Sequence, residues 1–271
     1  MSPPESTEGL AELERAFTEA GGTAWPYLKD HYGRFAATKR EFDSGSARAP
    51  GVLLDIGAHW LHQSVLWAMD GWQPIALDLP VTFEIACVRD IAARHAIRLL
   101  PNTSLEKPAA LAMLPDDSVD AVLFTEIIEH ITFNPVSLWR EIHRVLRPTG
   151  CVIVTTPNYY ALRGRAWSPR RFIGGRGGGL DIPSLIGEPT FAHHWKEYSR
   201  AEVVSYFAQL SADFRIDKAL YMREYRPERF KSAIRRSAIA VEAMIPALRP
   251  NLHFQIGLND KRHGVVAEPT W

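Results

Sequence analysis

The sequence is poor in cysteine, in net charge and in long apolar runs, and each absence argues against a class of protein. Two cysteines among 271 residues, Cys87 and Cys151, are too few for a disulfide framework. A formal net charge of zero gives no support to a broadly cationic nucleic-acid-binding surface. The sequence shows neither a secretory leader nor a long apolar segment, which predicts a soluble, cytoplasmic protein without a membrane span.

What the chain does have is enough apolar sequence for one large domain with additions, since 46% of its residues are hydrophobic. Residues 119–124 (VDAVLF) are typical of a strand buried on both faces of a parallel sheet. Apolar residues at helical spacing follow Pro135 and stop before Pro148. Residues 151–155 (CVIVT) predict the next buried strand, with Cys151 as packing. A helix between two such strands predicts an α/β fold.

Polar residues follow the first of these central strands, at the point where ligands bind in open α/β sheets. Glu126 comes first, and Glu129 and His130 follow at spacings that place side chains on one face of a helical turn. The pattern therefore predicts a functional cluster of two carboxylates and an imidazole. The alternative is structural, because acidic residues at the start of a helix stabilise the helix dipole.

A second candidate site lies earlier in the chain. Residues 51–56 (GVLLDI) predict the first strand, and Gly57 predicts a tight turn into a helix, which is the arrangement of a nucleotide-binding element. Residues 74–77 predict the second strand, which ends at Asp78. An acid about 20 residues after such a turn accepts hydrogen bonds from ribose hydroxyls.

Three stretches of the sequence resemble the class I S-adenosylmethionine-dependent methyltransferases. They are VLLDIGAHWLHQS, LPDDSVDAVLFTEIIEHI and RVLRPTGCVIVTTPN, and the resemblance extends in order over residues 52–207. The subgroup is the one that includes ubiquinone-pathway and sugar O-methyltransferases. The resemblance implies a Rossmann-like, seven-stranded, mostly parallel sheet with helices on both faces and a terminal antiparallel hairpin. It also implies contacts with the cofactor S-adenosylmethionine from Asp55, Gly57, Ala58, His59, Asp78, Leu79, Leu111, Thr125 and Glu126.

The whole chain is predicted to have four parts. They are an N-terminal helical cover (1–50), a cofactor-binding core (51–162), a glycine- and arginine-rich lid (163–192) and the rest of the core (193–271). Further elements are expected as helices at 10–20, 26–42, 83–95 and 201–210, and as strands at 97–100, 214–221 and 252–258. The last part includes a helical cap at 222–249, for which a membrane-surface or dimer contact is the alternative. For the lid, the alternative is a disordered insertion.

One motif departs from the family pattern. The usual glycine loop reads D-x-G-x-G-x-G, whereas here His59 and Leu61 replace the later glycines. Glycine permits backbone conformations that other residues rarely adopt, although histidine tolerates them better than most. Three interpretations stay open. The loop is shifted, or it is retained with His59, Trp60 and His62 lining the pocket, or Trp60 and Leu61 simply pack it.

The resemblance implies methyl transfer from S-adenosylmethionine, and we predict an oxygen of a sugar or other small molecule as the acceptor. The protein must align that acceptor with the methyl group and remove its proton. His130 is the candidate general base, with Glu129 as its orienting partner. The stretch from His194 to Ser199 reads H-x-x-E-Y-[ST], which is a further feature of the resembling family. Ser199 with Glu202 then has the spacing of a capping box at the start of the next helix.

A metal-dependent version of this chemistry is a separate prediction. Glu126, Glu129, His130 and a later histidine resemble the Mg²⁺ or Mn²⁺ site of small-RNA 3′-end 2′-O-methyltransferases. His194 is the candidate later histidine, with His193 as the alternate. Two carboxylates suit a hard cation, whereas histidines favour Mn²⁺ or Zn²⁺. RNA is not the expected substrate, because the sequence contains no separate basic RNA-binding domain.

Two other classes of function stay open at this point. An NAD(P)-dependent oxidoreductase would share the sheet, but the missing G-x-G-x-x-G and the expected terminal hairpin argue against it. A non-catalytic scaffold that no longer binds the cofactor would explain His59 and Leu61. The sequence leaves the oligomeric state open, a dimer included, and it does not identify the acceptor.

Overall fold

The structure is a computed structural model, and it describes residues 7–22, 26–44, 49–162, 173, 182–223 and 233–266. The chain divides into two compact units. Unit 1 comprises Met1–Leu123 and Ser137–Val152, and unit 2 comprises Phe124–Val136 and Ile153–Trp271. Within the described ranges, no helix has both the length and the apolar character that crossing a membrane requires.

Helices and strands alternate along much of the chain. The helices are α1 (Thr7–Glu19), α2 (Pro26–Asp43), α3 (His62–Ala68), α4 (Pro80–Phe83), α5 (Ala86–Arg94), α6 (Val136–Val145), α7 (Ile182–Gly187), α8 (Arg200–Leu210) and α9 (Ala233–Met244). The strands are β1 (Val52–Ile56), β2 (Gln73–Asp78), β3 (Arg98–Pro101), β4 (Val119–Thr125), β5 (Leu146–Pro157), β6 (Phe214–Met222) and β7 (Asn251–Leu258). Short 3₁₀ turns span Leu111–Met113, Ile128–His130, Thr190–Ala192 and Pro246–Leu248.

The parallel strands of unit 1 explain the apolar runs of the sequence. Leu54 of β1 pairs with Ile75 of β2 on one side and with Val122 of β4 on the other. Strand β2 continues in parallel to β3. Residues 53–56 and 121–124 are all buried, because both strands lie inside the sheet. Cys151 of β5 is buried as well, which confirms its predicted place in the core.

The two N-terminal helices belong to the apolar core of unit 1. Their buried residues share one cluster with the loop after β1 and with α3, and this cluster includes Leu13, Phe17, Leu28, Phe35, Leu61 and Val65. Full burial of one such side chain stabilises a protein by about 1.5–3 kcal/mol. Helix α1 ends just before Gly21, whose φ of +76° suits the end of a helix.

The carboxyl-terminal part of unit 2 contains the expected hairpin. Strands β6 and β7 pair antiparallel from Phe214 with Leu258 to Met222 with Asn251. Helix α8 begins with the predicted capping box. The Ser199 hydroxyl accepts a hydrogen bond from the Glu202 amide, and the Glu202 carboxylate accepts one from the Ser199 amide.

Among the described residues, seven strands form one sheet in the order β3-β2-β1-β4-β5-β7-β6. Strands β1 to β4 pair in parallel where their registers meet, and β6 and β7 pair antiparallel. Helices flank the sheet. The predicted fold class, a Rossmann-like, mostly parallel sheet with a terminal antiparallel hairpin, is therefore confirmed.

The helix predicted at 83–95 is present as α5, but its predicted start was wrong. Helix α4 ends at Phe83, and α5 begins at Ala86. The Arg89 guanidinium donates hydrogen bonds to the carbonyl oxygens of Phe83 (3.3 Å) and Glu84 (2.6 Å). These bonds satisfy carbonyls that the end of a helix leaves unpaired. A side chain thus stabilises a break that apolar periodicity does not reveal.

Two predicted segments fall partly on residues that the structure does not describe. Of the lid predicted for 163–192, only residues 173 and 182–192 are described, and they contain α7 and a 3₁₀ turn. Its arginines and glycine pairs lie outside the described residues. The cap predicted for 222–249 contains α9, which ends at Met244.

Candidate functional site

A polar cluster in unit 1 begins with a buried carboxyl group at the end of β1. Asp55 is 2% exposed, and its Oδ2 accepts a 2.6 Å hydrogen bond from the Ser64 hydroxyl of α3. Burial raises the pKa of Asp55 to about 7, because a charged carboxylate is poorly solvated there. The Ser64 hydrogen bond lowers that pKa, whereas the nearby Asp78 raises it further.

The turn after β1 is fixed by the backbone of β2. The amides of Gly57 and Ala58 both donate to the carbonyl oxygen of Leu77, at 2.8 and 3.3 Å. Gly57 has a φ of +75°, a left-handed conformation that glycine adopts without steric penalty. The close approach to β2 holds the start of the loop beside the end of that strand.

The residues that replace the two glycines keep the left-handed backbone. His59 has a φ of +48° and Leu61 a φ of +66°. For residues other than glycine this conformation costs roughly 1–2 kcal/mol each. The interpretation of a retained loop is therefore the one that the backbone supports. The strained conformation must be stabilised by contacts elsewhere in unit 1.

Asp78 ties this loop to the start of α4. Its Oδ2 accepts a 2.6 Å hydrogen bond from the His59 amide, and its Oδ1 accepts bonds from the Leu79 amide (2.7 Å) and the Thr82 hydroxyl (2.9 Å). A carboxylate offers about four acceptor sites, so three donors leave room for one more. Hydrogen bonds to both carboxylate oxygens therefore fix the position of the Asp78 side chain.

Most of the predicted cofactor contacts meet in this part of unit 1. Asp55, Gly57, Ala58, His59, Asp78 and Leu79 are joined by the hydrogen bonds and the strand pairing described above. Leu111 belongs to the same unit, but it is buried in a 3₁₀ turn whose carbonyl accepts from Arg144. Thr125 and Glu126 lie in unit 2.

Unit 2 contains a second cluster, formed by Glu129, His130 and His194. Each side chain offers one ligand atom, and these atoms lie within 4.8 Å of one another. Glu129 is fully buried, and its Oε2 accepts a 3.0 Å hydrogen bond from the Thr156 hydroxyl of β5. The rings of His130 and His194 meet edge to face, with centroids 4.7 Å apart.

Two hydrogen bonds to backbone carbonyl groups explain why His194 reaches this cluster. The amide of Trp195 donates a 2.7 Å hydrogen bond to the carbonyl oxygen of Glu129. In the other direction, Nδ1 of His130 lies 2.9 Å from the carbonyl oxygen of His193. The bonds are made by the residues directly before and after His194, and they hold this segment against the Ile128–His130 turn. His193 takes part through its carbonyl group.

The hydrogen bond to His193 also sets the state of His130. A carbonyl oxygen only accepts, so Nδ1 is the nitrogen that carries the proton, and Nε2 of the neutral ring presents a lone pair. Burial lowers the pKa of His130, against the opposing effects of the His193 carbonyl and the Glu126 charge. Nε2 lies 4.0 Å from Oε1 of Glu129. The neutral ring can thus accept a proton or bind a metal at Nε2.

The predicted α-helical turn at Glu126 was wrong. Glu126 has a φ of +57°, and only Ile128–His130 forms a 3₁₀ turn. The Glu126 amide donates to the carbonyl oxygen of Thr155 (2.8 Å), and its Oε1 accepts from the Thr155 hydroxyl (2.8 Å). Glu126 is not part of the group formed by Glu129, His130 and His194. Helical spacing alone does not fix the backbone conformation.

Three contributing residues were missed in the sequence. Ser64 contacts Asp55, while Thr155 and Thr156 contact Glu126 and Glu129. The two threonines end the apolar run of β5, where a polar pair was a usable signal. Their register with the carboxylates, however, depends on pairing between distant segments.

The donor set of unit 2 fits a divalent cation. One carboxylate and two imidazoles are also the ligands of catalytic metal sites that keep a position open for water or substrate. The bonds from Thr156 to Glu129 and from His130 to the His193 carbonyl are the outer contacts that orient such ligands. A set with two nitrogens and one carboxylate suits Mn²⁺ or Zn²⁺ better than Mg²⁺.

Part of the chain is similar to a known family. Residues 54–154 match the family model described as a methyltransferase domain. A comparison of the sequence with curated proteins found no match.

Solved structures resemble the chain over most of its length. An S-adenosylmethionine-dependent methyltransferase from Mesorhizobium loti shares 15% identity at a TM-score of 0.55, covering 82% of this chain and 98% of that one. A methyltransferase from Archaeoglobus fulgidus shares 14% identity at a TM-score of 0.52, covering 87% of this chain and 100% of that one.

A third structure holds ligands. It is the 1,6-didemethyltoxoflavin-N1-methyltransferase of Burkholderia thailandensis with bound 1,6-didemethyltoxoflavin and S-adenosylhomocysteine. It shares 15% identity at a TM-score of 0.55, covering 96% of this chain and 92% of that one. The matched model thus describes residues 54–154 as similar to a methyltransferase domain, and the solved structures share the fold of the chain.

Proposed function

We propose that this protein binds S-adenosylmethionine and transfers its methyl group to a hydroxyl oxygen of a small molecule, with sugars as the leading class of acceptor. The Burkholderia thailandensis structure, an N1-methyltransferase with bound 1,6-didemethyltoxoflavin, supports a small acceptor. The observation that favours oxygen over nitrogen is the neutral imidazole of His130. A hydroxyl group must lose its proton, and Nε2 of His130 presents a lone pair beside a buried carboxylate.

The cofactor role falls to the loop and carboxylates of unit 1. Asp78 has one acceptor site left after its three hydrogen bonds, which suits a ribose hydroxyl. The retained loop backbone removes the motivation for a non-catalytic protein, because His59 and Leu61 adopt the conformation that the glycines would provide. The family match likewise favours a methyl donor over NAD(P)H.

The base role falls to His130. S-Adenosylmethionine, when bound, would supply a methyl group on a sulfonium sulfur that can leave as a neutral thioether. His130 would accept at Nε2 the proton that the acceptor hydroxyl loses as its oxygen takes the methyl group. Glu129 stabilises the imidazolium that results, because its buried carboxylate lies 4.0 Å away.

The same cluster supports a finer version of the proposal, in which Glu129, His130 and His194 hold Mn²⁺ or Zn²⁺. The chemistry that such a cation supplies when bound is a lower pKa for a coordinated hydroxyl. Thr156 and the His193 carbonyl would keep Glu129 and His130 oriented toward it. We also propose that the protein is a cytoplasmic enzyme without a nucleic-acid partner.

Cofactor binding is tested by calorimetry with S-adenosylhomocysteine and with NADH. We expect binding of the former only. Asp78→Ala should weaken it by about 1–2 kcal/mol, roughly five- to thirtyfold, because a charged hydrogen bond is lost. Asp90→Ala, which removes an exposed partner of Arg94 on α5, is the matched control and should bind like the parent. Preference for NADH, or equal affinity of Asp78→Ala and parent, would contradict the assignment.

The base and the metal are separated by turnover with a panel of sugar hydroxyl and amine acceptors, measured as S-adenosylhomocysteine release. The parent is compared with His130→Ala, Glu129→Gln and His95→Ala, the last a histidine of unit 1 outside the cluster. We expect the first two to lose most activity and the third to keep it. Loss on EDTA treatment with recovery on adding Mn²⁺ or Zn²⁺ supports the metal. Activity that chelation does not change would contradict the role of a metal and leave His130 as the base. Full activity in His130→Ala would contradict both roles.

A further inference from the structure

The loop in which His59 and Leu61 replace glycines packs against an aromatic ring from a distant part of the chain. His59 stacks on Trp60 with ring centroids 4.2 Å apart and an angle of 28°. The ring of Tyr27, at the start of α2, packs against His59 with a centroid distance of 4.8 Å. The loop therefore rests on a helix that precedes the whole sheet in the sequence.

Tyr27 lies at the centre of this ring cluster. Its ring also contacts His31 of α2 (4.1 Å), Trp60 (5.5 Å, edge to face) and His62 of α3 (5.8 Å, stacked). Aromatic pairs of this kind are favourable beyond the area that they bury. Tyr27 thus links α2, the loop and the first turn of α3.

The second strained residue is held by burial. Leu61 is fully buried in the same apolar cluster as residues of α1 and α2. Its amide donates a 2.9 Å hydrogen bond to the Ala58 carbonyl, and its own carbonyl accepts from Val65. Among the described contacts, the start of α3 has no side-chain cap, so packing rather than capping fixes the turn.

We propose that Tyr27 is a positioning residue for the cofactor loop. Through ring packing, α2 stabilises at His59 the left-handed backbone that glycine adopts unaided. The inference rests on the proposed function in one respect, namely that this loop contacts S-adenosylmethionine. It assigns to the N-terminal helices a role in cofactor affinity in addition to their role in the core.

The proposal predicts an energetic coupling between positions 27 and 59. Without the Tyr27 ring, the loop populates other conformations, and apparent affinity falls by the fraction of loops that remain competent. With glycine at 59 the left-handed backbone carries no penalty, so the loop no longer depends on Tyr27. The effect of removing Tyr27 should therefore be large in the parent and small in His59→Gly.

The experiment is a double-mutant cycle read by calorimetry with S-adenosylhomocysteine. Tyr27→Ala should weaken binding about tenfold, as expected from the loss of several ring contacts. In the His59→Gly background the same change should alter affinity by less than about twofold, which is the scatter usually seen between sites that do not interact. Tyr27→Leu, which keeps an apolar side chain without the ring, serves as the second variant if Tyr27→Ala does not fold.

Two controls separate positioning from general stability. Tyr27→Phe keeps the ring and should bind like the parent. Phe42→Leu removes a ring of α2 that packs on Trp67 and Trp72 instead of the loop. It should lower the melting temperature without changing affinity.

Unchanged affinity in folded Tyr27→Ala or Tyr27→Leu overturns the proposal, and so does an equal loss in both backgrounds. If the parent does not bind S-adenosylhomocysteine, the proposed function fails. Amide hydrogen exchange of the ligand-free protein then tests separately whether Tyr27 positions the loop. The amides of His59 and Leu61 are hydrogen-bonded to Asp78 and Ala58. Their exchange should be about tenfold faster without the Tyr27 ring, and unchanged exchange overturns the positioning role.

Discussion

Asp55 makes the stability of the folded protein depend on pH in the neutral range. The carboxyl group is 2% exposed, and burial raises its pKa from 3.8 to about 7. In the unfolded chain the group ionises near its ordinary pKa of about 3.9. Between these values the folded state holds one proton more than the unfolded state. The stabilising contribution of Asp55 is therefore fully present below the unfolded pKa, and it is lost as pH rises through the folded pKa.

The size of the effect follows from linkage. One extra proton in the folded state lowers the free energy of unfolding by about 1.4 kcal/mol for each unit of pH. From about pH 5 to about pH 7 the loss attributable to Asp55 is thus roughly 2–3 kcal/mol, and it levels off above about pH 8. This is a large part of the total stability of a typical domain, about 5–15 kcal/mol.

The assay is urea denaturation of the ligand-free parent and of Asp55→Asn at about pH 5 and about pH 8.5. The asparagine does not ionise. Over this range the free energy of unfolding should therefore fall by roughly 2–3 kcal/mol more in the parent than in the variant. Other groups titrate in both proteins and cancel in the difference. Asp90→Asn, an exposed carboxylate of α5, is the matched control and should follow the parent. Equal losses in parent and Asp55→Asn would refute the reasoning.

Two further predictions concern stability. Ser199→Ala removes the hydroxyl of the capping box of α8 and should lower the free energy of unfolding by about 1 kcal/mol, whereas Ser205→Ala, inside the same helix, should change it less. His253 of β7 is fully buried, and its ring nitrogens have no hydrogen-bond partner among the described residues. Burial lowers its pKa to about 4, so the parent loses stability as pH falls from about 6.5 toward that value. His253→Leu should gain about 1–3 kcal/mol at neutral pH and be less sensitive to acid; a less stable His253→Leu would contradict this reasoning.

The sheet was predictable because its signals are local. The apolar runs of β1 and β4, the turn at Gly57 and the acid at Asp78 each follow from a few adjacent residues. The capping box at Ser199 is local in the same way. These features need no knowledge of distant partners, and the structure reproduces them.

The arrangement of the site depended on contacts that the sequence does not display. The approach of His194 to Glu129 and His130 comes from two hydrogen bonds between segments more than sixty residues apart, one between backbone groups and one from the His130 ring to a backbone carbonyl. The conformation of the loop at His59 was equally undecided in the sequence. There the relevant partner is Tyr27, which precedes the loop by a linker and a strand. Spacing along a chain predicts which residues share a face only if the backbone conformation is already known, and Glu126 shows the failure.

The position of β7 has a consequence for how the protein is made. Among the described strands, β7 comes last in the sequence, and it lies in the sheet between β5 and β6. Strands β1, β2 and β3 have all their described partners once β4 has been synthesised, whereas β6 lacks its described partner until Asn251–Leu258 emerges. During this interval the hydrogen-bonding edges of β5 and β6 are open to other nascent chains. Fragments that end before Asn251 should consequently aggregate, and chaperones that delay contact between chains should raise the yield of the full-length protein.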